Sequence, residues 1–138
     1  MTVDAGSPVD VFLDAVRSAT MASCSVWSPG AVLDATVPNW RFTRHGPAAI
    51  REEYSRWFAD PGRFEELRRW PTADGEVVAY VLTWVENGVP HAAHHMHALE
   101  VADGKITRDR VLCGGRWAAS LLAEMQAVQE AQVHHVHA

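Results

Sequence analysis

Cys24 and Cys113 are the only two cysteines in this chain, and they do not form a C-x-x-C pair. That excludes a disulfide framework and a cysteine-based zinc site. Long apolar runs are also missing: the longest strongly apolar stretch, residues 77–82, is far too short to span a bilayer. There is no basic excess. A net charge of −5 argues against nucleic acid or an anionic membrane as partner, because both demand a basic patch. Neither a basic segment nor an apolar one precedes Pro8, so no secretory signal is expected and the cytoplasm is the default compartment.

What is present suffices for one folded domain over residues 1–138. Of these residues 48% are hydrophobic, enough to bury a substantial core, and no repeat, linker or low-complexity block interrupts them. Ser7-Pro8-Val9-Asp10 has the form of a helix start, with serine as cap, proline at the first helical position and an acid in the first turn. Val9, Phe12, Leu13 and Val16 then recur at helical spacing. This helix, or a broken pair, is predicted to run towards Trp27 and to stop at Ser28-Pro29-Gly30. A short strand is expected over residues 31–37 and another over 40–43. Gly46-Pro47 opens a second helix carrying Ile50, Tyr54, Trp57 and Phe58 on one stripe. Three longer strands, about 76–86, 90–101 and 105–113, are joined by Asn87-Gly88 and Asp103-Gly104. Leu121, Leu122, Met125 and Val128 mark a C-terminal helix within residues 118–138, ending in a frayed His134-His135-Val136-His137 tail. Helices first and antiparallel strands after make an α+β pattern.

The chemistry concentrates in one hairpin. His91, His94, His95 and His97 fall within seven residues, and Asp109 lies twelve beyond His97. Strand side chains alternate faces, so His91, His95 and His97 share a face with Leu99 and Val101 while His94 points away. The Asn-Gly turn pairs Glu86 with Val89, which sets Tyr80 opposite His95 and Trp84 opposite His91. A three-residue loop, Ala102-Asp103-Gly104, pairs Val101 with Lys105, Leu99 with Thr107 and His97 with Asp109. A histidine opposite an aspartate on an inner face is a candidate acid–base dyad, the alternative being a purely structural hydrogen bond.

The order of elements, and the segments Gly46-Pro47-Ala48-Ala49-Ile50-Arg51-Glu52-Glu53-Tyr54, Glu86-Asn87-Gly88-Val89-Pro90 and Val101-Ala102-Asp103-Gly104-Lys105-Ile106, resemble the nuclear transport factor 2-like superfamily. Within it they resemble the SnoaL-like polyketide cyclases and the ketosteroid isomerases, over roughly residues 8 to 117. The resemblance implies a cone-shaped α+β barrel, its curved antiparallel sheet wrapped around N-terminal helices with an apolar pocket inside. It places Tyr80, Leu82 and Trp84 on the pocket wall, His91, His95 and His97 on the next strand, and Asp109, Val111 and Cys113 beyond. It also implies a cofactor-free enzyme performing cyclisation, isomerisation or dehydration on a hydrophobic, polyketide-like metabolite. His97 and Asp109 would be catalytic, and Tyr80, Trp84, His95, His91, Trp40, Leu82, Val111 and Cys113 would bind substrate. A non-catalytic small-molecule binder using the same pocket is the alternative.

Some signals point away from chemistry. Ala35 stands where the isomerases carry their proton-shuttling aspartate, and Asp34, one step away, falls on the opposite face. Trp57 on its helical stripe reads as core, and Cys113 as a small packing residue. No metal is expected, although His95 and His97 have ligand spacing and His91 stands near. The outer sheet face carries Val77, Ala79, Val81, Thr83 and Val85 with His94, Met96, Ala98 and Leu112. So broad an apolar surface predicts a homodimer centred on Val81, Thr83, His94 and Met96.

Overall fold

Ser7 does cap the first helix. In the computed structural model, which describes residues 6–137 and their side chains as far as Val133, α1 runs Pro8–Ser18. The Ser7 hydroxyl accepts from the Asp10 backbone N–H and the Asp10 carboxylate accepts from that of Ser7, a reciprocal capping box. The helix ends earlier than the spacing suggests. Ala19 takes a left-handed conformation, a short 3₁₀ turn follows at Met21–Ser23, and the chain is already extended at Trp27.

The strands are β1 (Trp27–Val37), β2 (Trp40–His45), β3 (Gly62–Pro71), β4 (Gly75–Glu86), β5 (Val89–Ala102) and β6 (Lys105–Ala118). Helix α2 (Pro47–Trp57) separates β2 from β3, and α3 (Ala119–His137) follows β6. Side chains of the histidine tail lie outside the described residues. The six strands form one curved, unclosed sheet in the order β2-β1-β6-β5-β4-β3. Every pairing is antiparallel except β1 with β6, which is parallel and so departs from the wholly antiparallel sheet expected. No hairpin constrains those two strands, because most of the chain runs between them.

The Asn87-Gly88 hairpin has the predicted register, with Tyr80 opposite His95 and Trp84 opposite His91. The next hairpin does not. Asp103 and Gly104 both have positive φ, 53° and 75°, and so form a two-residue turn that matches strand twist better than the longer loop. Ala102 pairs with Lys105, and a bulge at Thr107 then shifts the register, so that Leu99 faces Asp109 and His97 faces Val111. The turn displaces the register by one residue and the bulge by one more. Two displacements preserve the face, so Asp109 still points inward with His97. A further bulge near Gly114-Gly115 adds curvature at the far end of β5–β6.

Helices α1 and α2 fill the concave face. Phe12, Leu13, Ile50 and Tyr54 pack against Leu33, Val78, Leu99 and Val111, all buried. The convex face keeps Val85, Met96 and Leu112 more than two-fifths exposed. Among the described residues no helix is long and apolar enough to cross a membrane.

Candidate active site

Periodicity puts His95 and His97 on the concave side of β5, and Tyr80 of β4 stands between them. The Tyr80 hydroxyl lies 2.9 Å from His95 Nδ1 and 2.9 Å from His97 Nε2. His97 Nδ1 in turn lies 2.9 Å from Asp109 Oδ1, a diagonal contact across the β5–β6 pair rather than a directly opposed one. The Tyr54 hydroxyl of α2 donates to the other oxygen, Asp109 Oδ2. A continuous hydrogen-bonded chain thus runs His95–Tyr80–His97–Asp109–Tyr54. His97, Asp109 and Tyr54 are fully buried, and Phe12 meets the His97 ring edge-on at 5.1 Å.

His95 is the end of this chain that reaches open space. It lines a cavity of about 430 Å³ together with Trp57, Phe58, Leu82, Trp84 and Cys113, and Arg56 and Arg116 also contribute to the wall. The His95 ring is 5.5 Å from that of Trp57 and 5.6 Å from that of Phe58. With Nδ1 taken by Tyr80, Nε2 is the nitrogen left for a ligand. The carboxylate of Glu53 is held by Arg44, Arg56 and the Trp57 indole N–H, which fixes the cavity face of α2.

Burial pushes His95 from 6.5 down to about 3, and the neighbouring His97 and His94 add to the effect. Burial also raises both tyrosines well above 10, and the Asp109 charge raises them further. The Cys113 thiol is raised by burial, consistent with a packing role rather than a nucleophilic one. The folded chain therefore holds His95 neutral, whereas the unfolded chain protonates it near its ordinary value. The stability from this group is complete above pH 6.5 and is lost as pH falls towards 3. At about pH 5 the loss amounts to about 2 kcal/mol. Urea unfolding at about pH 7 and about pH 5 checks this, with His95→Gln expected to escape that share of the loss.

Three of the site residues expected from sequence, Trp40, Val111 and His91, lie elsewhere than on this cavity or its chain. Trp40 is 70% exposed beside the β1–β2 turn, because Pro38-Asn39 closes a tight hairpin and carries it outward. Val111 is sealed into the core. His91 stacks on Trp84 at 5.6 Å and lines a separate groove with Leu122. His97 belongs to the chain, yet it and Asp109 are too buried to touch a ligand, so neither is a contact group. Asp34 stays on the outer face in a bidentate bond with Arg41, which holds its carboxyl below the usual range. Trp57, read as core, lines the cavity instead. Sequence reasoning missed the partnership of Tyr54 with Asp109. The available signal was a tyrosine on a buried stripe, whose hydroxyl needs a partner. Among the described residues no three His, Cys, Asp or Glu side chains converge as a metal site: His94 faces outward, and Tyr80 is hydrogen-bonded to both His95 and His97.

A curved, unclosed sheet wrapped over two helices, with one imidazole opening into a largely apolar cavity, is the nuclear transport factor 2-like fold. The SnoaL-like domain family matches residues 9–109, and the chain belongs to that family. No curated protein matches the sequence. Among solved structures, a proposed isomerase from Bacillus subtilis is similar at 19% identity and a TM-score of 0.64, over 78% of this chain and 84% of that one. A proposed polyketide cyclase from Pseudomonas putida is similar at 15% identity and a TM-score of 0.59, over 75% and 86%. A phenazine biosynthesis-related protein from Pseudomonas aeruginosa gives 12% and 0.58, over 78% and 79%. At these identities the likeness is one of fold.

Proposed function

We propose that this protein is an enzyme that moves a proton beside a carbonyl of a hydrophobic, polyketide-like metabolite, in a cyclisation, isomerisation or dehydration. The observation that carries the reading is the single open nitrogen of His95, backed by a buried polar chain, in a largely apolar wall that also carries Glu53, Arg56 and Arg116. His95 takes the part of the group that contacts substrate. Tyr80, His97 and Asp109 hold its orientation and tune its protonation, and Leu82, Trp84, Trp57 and Cys113 enclose the substrate. The chemistry uses only side chains of this chain. The proposed isomerase and cyclase among the similar structures support the reaction class. The reading also takes the solution species to be a homodimer through the outer face around Met96, supported by the exposure of Met96 and Leu112.

The test is deuterium wash-in from heavy water at the acidic carbon of a hydrophobic cyclic 1,3-diketone, followed by NMR. Exchange above buffer is expected, with His95→Ala lowering it about a hundredfold. Tight binding of the diketone without any exchange would sink the enzyme reading and favour a non-catalytic binder.

A further inference from the structure

We propose that His95, Tyr80, His97 and Asp109 form a reversible proton relay, through which His95 Nε2 acts first as base and then as acid towards the same cavity. This rests on the acid–base role of His95 proposed above and adds where the proton is kept.

The donor and acceptor count allows two complete arrangements. With Asp109 ionised, Oδ1 accepts from His97 Nδ1–H, bare His97 Nε2 accepts from Tyr80 O–H, and the Tyr80 oxygen accepts from His95 Nδ1–H. His95 Nε2 then presents a lone pair to the cavity. With Asp109 protonated every bond reverses. Asp109 donates to His97 Nδ1, His97 Nε2–H to the Tyr80 oxygen, and Tyr80 O–H to His95 Nδ1, so that His95 Nε2–H points into the cavity. Tyr54 donates to Asp109 Oδ2 in both.

The step between them balances. A substrate C–H bond breaks and its electron pair stays on the substrate as an enolate, while the proton bonds to His95 Nε2. The His95 Nδ1 proton passes to Tyr80, the former Tyr80 proton to His97 Nε2, and the His97 Nδ1 proton to Asp109 Oδ1. Returning the proton to another substrate atom reverses all four transfers. Each link is already at 2.9 Å. Burial disfavours an imidazolium at His95 and a phenolate at Tyr80 or Tyr54, so a proton taken up at His95 is driven inward along the chain. Only at the Asp109 carboxylate does an added proton remove a charge rather than create one.

Other ionisable groups surround the relay without entering it. Glu53 and Arg56 come from α2, Glu66 and Arg68 from β3, His94 from the outer side of β5, and Cys113 and Arg116 from β6; α1 meets His97 with the Phe12 ring.

The relay is testable in the free protein, so its fate is independent of the diketone experiment. Long-range ¹H–¹⁵N NMR on ¹⁵N-histidine protein reports which ring nitrogen carries the proton. His95 is expected as the Nδ1–H form in the wild type near neutrality. Asp109→Asn is expected to fix the Nε2–H form at neutral pH. Only that arrangement lets the Tyr54 hydroxyl keep an acceptor while the amide N–H donates to His97. Tyr80→Phe cuts the path and should release His95 from a single tautomer into a mixture of both, which decides the matter if the Asp109→Asn variant fails to fold. A doubly protonated His95 in the folded wild type near neutrality, the same His95 tautomer in the wild type and Asp109→Asn, or an unaltered tautomer in Tyr80→Phe would overturn the relay.

Discussion

Replacing Asp109 by asparagine is expected to lower turnover by about a hundredfold or more while the fold survives. Asparagine matches the size of the carboxylate and still accepts from the Tyr54 hydroxyl, so the core around β6 keeps its shape. What changes is the direction of the chain. An amide donating to His97 leaves the cavity nitrogen of His95 protonated, and a base becomes a fixed donor. Steady-state kinetics should therefore show the fall in kcat, with KM for a bound ketone little altered, because Asp109 is fully buried and touches no ligand. A variant with unchanged kcat would mean that the chain under His95 is only structural.

Exchanging His97 for leucine is expected to destabilise the protein by about 3–5 kcal/mol. The imidazole bridges Tyr80 and Asp109 at 2.9 Å on each side and has no exposed surface. Without it, a buried carboxylate oxygen is stranded and Tyr80 loses one of its two partners. Leucine restores apolar contact with Phe12 but offers nothing to the carboxylate. Denaturant unfolding measures the loss. Adding Asp109→Leu to His97→Leu should recover part of it, because the stranded carboxylate then disappears. A double variant no more stable than the single one would show that lost packing, not the orphaned carboxylate, sets the cost.

The sequence by itself determined the local geometry. Ser7 and Asp10 announce a capping box, and Asn87-Gly88 dictates a two-residue turn and with it the facing of Tyr80 and His95. Strand alternation placed His95, His97 and Asp109 on one face. That conclusion outlived a register error of two residues, since only an odd displacement changes the face. Turn chemistry and periodicity of two are short-range rules that can be read off neighbouring residues.

Tertiary structure decided the rest. Tyr54 reaches Asp109 across 55 positions of chain, and nothing in local spacing marks that encounter. The parallel union of β1 with β6 is equally non-local. The same holds for the division of labour among the histidines. His97 and His95 are equivalent by periodicity, yet α1 and Tyr54 close over the first while the second opens between Trp57 and Phe58. Which of two like residues meets the cavity depends on where helices dock on a curved sheet, and that is set by packing many distant side chains at once.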